Sequence, residues 1–332
     1  MLFLIPHLFP TPYLLKAAAP DLSLPALQTL LVRGTRQPCP AEGVEAALCA
    51  ALGIERQQDW PLAPITLAVD GGEAGDAYWL RADPVHLRVM RDRIVLADGD
   101  ALSLSREEAD ALAAAIGQHF GDDLRPLPLH PRRWYLRFSV APQLTTTPLS
   151  VAVGRDIDPL LPRGADAMRF RSQLNELQML LHEHPVNQAR EARGELPVNS
   201  LWLWGGGYQP TIRSISIPIY TGAAEAQALG AFRSARVHGL PAQLDAALLK
   251  ADGIVLLDTL TRSGQVGDAC GWREALRELE QDWFVPLLGM LRNIGPQGLR
   301  LLDPVNGKAL HLQARDAWKI WRRPHRLISM LS

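Results

Sequence analysis

The sequence has few cysteines and no excess of charge of either sign. Three cysteines occur in 332 residues, Cys39, Cys49 and Cys270, and none belongs to a CxxC pair. This odd count argues against both a disulfide framework and a cysteine-rich zinc site. Basic residues number 34 and acidic residues 35, so the formal net charge is -1. Because general nucleic-acid binding needs many cations to displace counterions from phosphates, we expect no nucleic-acid partner.

Long apolar runs are also missing, so no membrane-spanning helix is expected. The opening segment MLFLIPHLFPTPYLL is apolar, but it lacks a basic start and is interrupted by Pro6, Pro10 and Pro12. These features differ from a secretory signal, and we expect the segment to contain a buried first strand. The lack of a secretory signal and of a long apolar run, together with cysteines expected to be reduced, favours a cytoplasmic protein without a membrane partner.

The residues that are present indicate a globular α/β protein. Hydrophobic residues make up 47% of the chain and charged residues 21%, which is typical of soluble domains. Short β-type runs alternate with helical segments, and this order predicts a mostly parallel sheet flanked by helices. The predicted strands are 2–5, 65–69, 77–81, 94–96, 134–140, 200–204, 212–219 and 253–257.

Helical periodicity is clearest in four segments. Ser105 and Glu108 have the spacing of a capping box, which predicts that a helix begins after Ser105. The other three predicted helices cover 169–183, 240–250 and 271–293. The proline-rich stretch RPLPLHPRR at 125–133 is the best candidate for a linker or domain edge.

The segment WLRADPVH, at the end of a predicted strand, contains the first candidate site residues, Arg81, Asp83 and His86. The carboxyl ends of strands in α/β sheets open into the crevice where ligands bind. In one interpretation Arg81 faces this crevice and binds a phosphate or carboxylate through its planar fork. In the other, Asp83 begins a turn before Pro84 and Arg81 pairs with Asp83.

A second group of candidate residues contains Asn187, Arg190, Asn199, Trp204 and the glycines 205–207. A glycine run after an apolar strand allows backbone amides to approach an anion closely. The same glycines are equally consistent with a tight strand exit that binds nothing. Their spacing matches neither a dinucleotide fingerprint nor a P-loop.

Two further patterns are interpreted as structural, and no GxSxG motif is present. Helical spacing predicts a core stripe formed by Trp272, Leu276, Leu279, Trp283 and Leu287. The segment WKIWRRPHR, which begins at Trp318, mixes tryptophans with basic residues and is a candidate interaction face. We expect its indoles to pack inward and its charges to be solvated.

Several of these segments carry a family resemblance. YWLRADPVHLRV, NELQMLLHEHPVN, NSLWLWGGG and WKIWRRP resemble the bacterial family called regulatory protein of the RpfE type, over nearly the whole chain. More distantly, the order of the blocks is similar to that in archaeal-type cofactor-independent phosphoglycerate mutases of the alkaline-phosphatase superfamily. The resemblance implies an alkaline-phosphatase-like α/β fold with a smaller inserted α+β lobe. We expect the core to comprise 1–96 and 173–332, and the lobe 97–172.

The superfamily's chemistry uses two metal ions, held by Asp and His residues beside a Ser or Thr nucleophile. Here His7 follows the first strand instead of an Asp-Gly pair, and Cys39 is the only nucleophile near the family's serine position. Aligning Gly267-Asp268 with the family's late Gly-Asp places Thr261 and Gln265 where metal ligands are required. We therefore expect no metal, no other cofactor and no metal-dependent phosphoryl transfer. Possible replacement ligands are His7, Asp258 and Asp268.

The residues suited to a phosphorylated hydroxy acid are still present, so the resemblance favours a regulatory or ligand-binding protein with a degenerate metal site. Its partner would be an anionic phosphorylated metabolite or another protein. The first alternative is an active phosphoglycerate mutase with an unrecognised nucleophile, and the second is a scaffold without a ligand. The predicted ligand-binding residues are Arg81, Asp83, His86, Asn187, Arg190, Asn199, Trp204, Gly205, Gly206 and Gly207.

Overall fold

A computed structural model describes residues 1–97, 99–211, 214–250, 252–295 and 297–331. The chain divides into two compact units. The first, here called the discontinuous unit, contains residues 1–52 and 213–332, and the second, the inserted unit, contains residues 53–212. No helix in the described ranges is both long and apolar enough to cross a membrane.

The helices and strands follow one another in three stretches of chain. The first 52 residues form β1 (Leu2–Leu4), α1 (Pro12–Ala18), α2 (Pro25–Arg33), β2 (Thr35–Pro38) and α3 (Val44–Ala51). The inserted unit contains α4 (Leu62–Val69), β3 (Tyr78–Val85), β4 (Leu87–Val89), β5 (Ile94–Leu96), α5 (Arg106–Phe120), β6 (Leu127–His130), β7 (Arg133–Phe138), α6 (Leu149–Ala152), α7 (Ala167–His182), α8 (Pro185–Ala192) and β8 (Ser200–Gly207). The last stretch contains β9 (Pro218–Tyr220), α9 (Ala224–Phe232), β10 (Arg236–His238), α10 (Ala246–Lys250), β11 (Ile254–Leu256), α11 (Thr261–Val266), α12 (Ala269–Leu279), α13 (Val285–Met290), β12 (Leu299–Asp303), β13 (Lys308–Leu312) and α14 (Leu327–Leu331).

A seven-stranded, mostly parallel sheet forms the centre of the discontinuous unit. Its strand order is β10-β9-β11-β1-β12-β13-β2, with parallel pairing from β10 to β12 and antiparallel pairing at β13 and β2. The central strands are short apolar runs because both faces of a parallel sheet are covered. The predicted α/β class is confirmed, as is the shared sheet between the first strand and 253–257.

Helices α1, α2, α12 and α13 contribute to the hydrophobic core of this unit. The predicted stripe from Trp272 to Leu287 is confirmed, since all five of its side chains are buried there. A five-residue π-helix, Glu280–Phe284, connects α12 to α13. It directs the buried Glu280 carboxylate to the start of α2, where it accepts the amides of Ala26 (2.6 Å) and Leu27 (2.9 Å). Glu280 thereby satisfies two amides that a helix start leaves without intrahelical partners.

The inserted unit contains an antiparallel sheet with the strand order β6-β7-β3-β8, and a separate β4-β5 hairpin. Helices α5 and α7 contribute to its main core, with Leu112, Ile116, Phe170 and Leu177 fully buried. The expected lobe, 97–172, covers only part of this compact unit, which spans 53–212. Strands β3 and β8 pair with each other in this second sheet, so neither belongs to the parallel sheet that the sequence suggested.

Three other expectations about local structure need correction. Residues 65–69 lie in helix α4 and not in a strand, because a short buried apolar run looks the same in either state. The proline-rich stretch 125–133 forms the β6-β7 hairpin and is not a linker. The helix predicted over 240–250 begins only after Asp245, whose carboxylate caps it by accepting the Leu248 amide at 2.7 Å. Residues 212 and 213 of the strand predicted at 212–219 lie outside the described residues, and of the rest only 218 and 219 belong to a strand, β9.

The capping box at the start of α5 is confirmed and gives a local test of stability. The Ser105 hydroxyl accepts the Glu108 amide at 3.2 Å, and the Glu108 carboxylate accepts the Ser105 amide at 3.1 Å. Ser105→Ala should lower the free energy of unfolding by about 1 kcal/mol, measured by urea denaturation. The matched control, Ser103→Ala, changes an exposed serine just before the helix. Equal effects of the two variants would contradict the capping role.

Candidate functional site

The first two predicted site residues, Arg81 and Asp83, form an ion pair inside the inserted unit. They lie two residues apart on β3, so both side chains leave the same face of the strand. The guanidinium donates from Nε to Oδ1 at 2.9 Å and from Nη2 to Oδ2 at 2.7 Å. Each residue is only 1% exposed. Of the two interpretations left open by the sequence, the Arg81–Asp83 pairing is the one observed, and Arg81 does not face an open crevice. The turn expected at Asp83 is wrong, because Asp83 and Pro84 both lie within β3.

Aromatic side chains enclose this ion pair. Trp204 lies opposite Arg81 on β8, and its indole Nε1 donates to the Asp83 carboxylate at 2.7 Å. The guanidinium carbon lies 4.8 Å from the Trp204 ring centroid and 5.6 Å from that of Tyr135, which allows cation–π attraction to both rings. Arg81 also donates to the Thr66 hydroxyl at 3.3 Å. The Arg81 guanidinium, which was expected to bind an anion, therefore contacts groups inside the inserted unit instead.

A second ion pair, Asp70 with Arg133, lies beside the first and was missed in the sequence. Asp70 accepts hydrogen bonds from Arg133 Nε at 2.8 Å and from the Tyr135 hydroxyl at 2.6 Å. Although burial acts to raise it, these hydrogen bonds hold the pKa of Asp70 below its ordinary value. Burial raises the pKa of Tyr135, which keeps that hydroxyl protonated as a donor. The two partners are 63 positions apart, so no local sequence signal marks them.

Arg190 and Asn187, both on α8, belong to other internal networks. Arg190 is buried and donates to Glu108 Oε2 at 2.7 Å and to the Leu196 carbonyl at 2.8 Å. Asn187 donates to the carbonyls of Leu181 and Val198, and its side-chain oxygen accepts the Val198 amide at 2.9 Å. Both residues therefore hold the chain that connects α7 to β8.

His86 and Asn199 join neighbouring segments of backbone. The Asn199 side chain accepts the Leu87 amide at 2.7 Å and donates to the Leu87 carbonyl at 2.9 Å. His86 Nδ1 lies 2.8 Å from the Pro197 carbonyl, so this nitrogen carries the proton. Burial lowers the pKa of His86, which favours the neutral ring.

The three glycines that end β8 are required by the geometry of close packing. Gly205 has φ of +67°, a conformation that side chains rarely adopt, and lies where the β3-β8 register shifts. A Cβ at Gly206 would overlap the Tyr78 hydroxyl, and one at Gly207 would overlap Pro61. The tight strand exit, rather than an anion cradle, is the interpretation that these contacts support.

The carboxyl edge of the parallel sheet, in the discontinuous unit, is where an α/β protein places a ligand. The residue at the end of β12, Asp303, has a fully buried carboxylate. It accepts the amides of Phe9 (2.9 Å), Val305 (3.1 Å) and Asn306 (3.2 Å), and the Asn306 side-chain amide at 3.1 Å. Burial raises the pKa of Asp303, and these donors act against the rise. The carboxylate therefore joins the loop after β1 to the turn after β12.

Two of the possible replacement metal ligands around this edge, Asp268 and His7, have well-defined surroundings within the fold. Asp268 caps α12 by accepting the amides of Cys270 and Gly271, both at 3.1 Å. The buried His7 ring lies so close to α11 that a side chain at Gly264 would overlap it. In the ranges that the structure describes, no three His, Cys, Asp or Glu side chains are arranged to hold a metal. The donor set does not fit the two-metal centre that the mutase resemblance implies.

The nucleophile candidate Cys39 lies near the same edge. Its thiol approaches the Asp303 carbonyl oxygen at 3.6 Å. Burial, together with the charge of Asp303, raises the pKa of Cys39 to about 11. Because the thiolate is the reactive form, this thiol is poorly suited to nucleophilic attack near neutral pH.

Comparisons with known proteins indicate a distant relationship to phosphoglycerate mutases. No protein-family model matches the chain. It is 31% identical over 158 residues to a probable 2,3-bisphosphoglycerate-independent phosphoglycerate mutase of Geobacter sulfurreducens, covering 46% of this chain and 39% of that protein. It is 30% identical over 139 residues to the enzyme of that name from Methanosarcina mazei, covering 40% and 34%. The matches thus span less than half the length of these relatives.

Two solved structures resemble the chain over nearly its full length. One is a cofactor-independent phosphoglycerate mutase from Thermoplasma acidophilum, with 18% identity, a TM-score of 0.43 and coverage of 100% of this chain and 94% of that chain. The other is the PH0037 protein from Pyrococcus horikoshii, with 14% identity, a TM-score of 0.49 and coverage of 99% and 91%.

The buried Arg81–Asp83 pair predicts a large effect on stability. Arg81→Ala leaves the Asp83 carboxylate buried without its cation and should lower the free energy of unfolding by about 3 to 5 kcal/mol. Arg137→Ala, at an exposed arginine on β7 of the same sheet, should change it by less than about 0.5 kcal/mol. The double variant Arg81→Met with Asp83→Leu should be more stable than Arg81→Ala, because it removes both charges. Similar denaturation midpoints for Arg81→Ala and Arg137→Ala would contradict the buried pair.

Asp70 predicts a pH dependence with a definite sign. Because its pKa is lowered in the folded state, its contribution is present above the ordinary value of 3.8 and is lost as the pH falls through the folded-state pKa. Asp70→Asn should therefore be less stable than wild type near neutral pH, and the difference should shrink below pH 3.8. Asp110→Asn, which removes an exposed ion-pair carboxylate, is the control. A difference that stays constant across acid pH would refute this assignment.

Proposed function

We propose that this protein is a regulatory, non-catalytic relative of cofactor-independent phosphoglycerate mutases that acts by binding a partner. The observation that carries the proposal is the Asp303 carboxylate, whose acceptor sites at the ligand edge of the sheet are used by the chain's own amides. Two-metal phosphoryl transfer needs carboxylates that are free to coordinate. The regulatory role itself rests on the resemblance to proteins of the RpfE type.

Of the two kinds of partner expected, another protein is better supported than an anionic phosphorylated metabolite. The guanidinium groups of Arg81 and Arg190 were the expected anion ligands, and both are buried against carboxylates. A phosphate would have to displace Asp83 or Glu108 from these pairs. A protein surface needs no such displacement, because it contacts residues that are already exposed.

The two alternatives differ from this proposal in specific ways. An active mutase would need a nucleophile, yet the Cys39 thiol has a raised pKa and the buried Ser263 hydroxyl donates to the Leu260 carbonyl at 3.3 Å. A scaffold without a ligand is favoured by the internal pairing of the predicted site arginines. Measurements of turnover and of metal binding distinguish an active mutase from both the regulatory protein and the scaffold.

The central test is a coupled assay for conversion of 3-phosphoglycerate to 2-phosphoglycerate, combined with metal analysis and thermal unfolding. We expect no turnover above the blank, no stoichiometric manganese or zinc, and the same melting temperature with and without about 1 mM MnCl₂. A metal that bound only the folded state would raise the melting temperature by mass action. Turnover that chelation abolishes would establish the active mutase instead.

A substitution at Asp303 tests the structural role directly. Asp303→Ala removes the acceptor of several buried donors and should lower the free energy of unfolding by at least about 3 kcal/mol. Asp258→Ala, at an exposed carboxylate after β11, should have little effect. If the denaturation midpoint of Asp303→Ala equalled that of wild type, the carboxylate would not stabilise the fold. The proposal would then lose its main support.

A further inference from the structure

An exposed aromatic and basic loop lies between β13 and α14 in the discontinuous unit. Trp318, Ile320 and Trp321 are 60%, 71% and 72% exposed. Each residue from 320 to 326, with the sequence IWRRPHR, is exposed. We call residues 318–326 the tail loop. The expectation that its indoles pack inward is wrong, and the exposed apolar side chains need another explanation.

Polar contacts to the end of α2 fix the backbone of this loop. Lys319 donates to the Arg33 carbonyl at 3.0 Å, and Arg322 donates to the Val32 carbonyl at 3.1 Å. These carbonyls belong to the last turn of a helix, where acceptors lack intrahelical partners. The loop is therefore held in place while Ile320 and Trp321 stay outside the core.

The ionised side chains of the tail loop itself, Lys319, Arg322, Arg323 and Arg326, are all basic. Between residues 314 and 326 the sequence contains four arginines and one lysine, and its one acidic residue is Asp316. Asp316 is buried and pairs with Lys319 at 2.7 Å, so it does not offset the exposed arginines. The Arg292 guanidinium adds a further cation, 4.1 Å from the Trp318 ring centroid. The tail loop thus presents three large apolar side chains beside exposed cations.

We propose that the tail loop binds the surface of an anionic lipid bilayer. Tryptophan favours the boundary between headgroups and acyl chains, and the neighbouring Ile320 supplies apolar area that enters the same layer. Arg323 and Arg326 contact the acidic headgroups, and each cation near such a surface strengthens binding by about fivefold. This binding does not depend on the proposed function, because it uses none of the residues at the sheet edge.

The size and chemistry of the tail loop favour a bilayer over a macromolecular partner. A standard protein interface takes roughly 20 to 30 residues from each side, and nine residues fall well short of that. A lipid surface adapts to a small protruding loop and needs no complementary shape. Single-stranded nucleic acid binds by stacking its bases on aromatic rings, which gives the exposed Ile320 no role. The inference revises the expectation that the protein has no membrane partner.

Vesicle sedimentation of the full chain tests this proposal. The probe is a vesicle with about 30 mol% phosphatidylserine in phosphatidylcholine, compared with phosphatidylcholine alone at low and high salt. Wild type should bind the anionic vesicle only, and binding should weaken with salt. Ile320→Ser with Trp321→Ser should reduce the partition coefficient at least about tenfold. Arg323→Glu with Arg326→Glu should reduce it at least about 25-fold.

The control variants replace one exposed aromatic residue and one exposed arginine elsewhere on the discontinuous unit. Tyr13→Ser changes a side chain that is 78% exposed, and Arg277→Glu reverses an exposed cation. Both should bind like wild type, and all variants should keep the wild-type melting temperature. Absence of wild-type binding, equal binding to neutral vesicles, or loop variants that bind like the controls would overturn the proposal. Binding of a single-stranded RNA oligonucleotide without vesicle binding would overturn it in favour of nucleic acid.

Discussion

The structure at the carboxyl edge of the parallel sheet depends on one buried carboxylate, that of Asp303. A carboxylate taken out of water is tolerated only when donors replace its hydration. Here the donors are amides of the loop after β1 and of the turn after β12. The same hydrogen bonds that stabilise this edge also occupy both oxygens of the carboxylate. Under the proposed function, this carboxylate serves the fold and is not available to a metal ion.

Buried charges in the inserted unit likewise have hydrogen-bond partners in place of water, and here the partners include whole ion pairs. Arg81 and Asp83 pair with each other, and Trp204, Thr66 and the Trp134 amide form further hydrogen bonds with them. Asp70 and Arg133 form a second pair beside them. Ion pairs in the interior need close geometry and added hydrogen bonds to offset the cost of desolvation. The hydrogen bond from Trp204 on β8 to Asp83 on β3 does cross between strands, and a shift of register by one residue would move one partner to the opposite face.

The sequence predicted the elements that depend on local pattern. The capping box at Ser105, the stripe from Trp272 to Leu287 and the first strand all follow from spacing and composition along a short stretch of chain. The sequence did not predict the antiparallel partners of β3, because strand pairing joins residues more than 50 positions apart. For the same reason Arg81 had two interpretations, and only the fold shows that Asp83 is its partner. The exposed indoles of the tail loop could not be predicted, since a tryptophan beside arginines has the same sequence pattern whether it packs inward or outward.

The proposed recognition role depends on the carboxyl edge of the sheet being closed to metal ions by the chain itself. Anomalous diffraction from crystals soaked in manganese tests this most directly, because it locates bound metal without relying on activity. The account predicts no manganese peak within about 2.5 Å of the Asp303 carboxylate or of the His7 ring, a distance that covers coordination. A peak held by Asp303 together with His7 or Asp258 would contradict it and would make a metal-dependent mutase the better description of this protein.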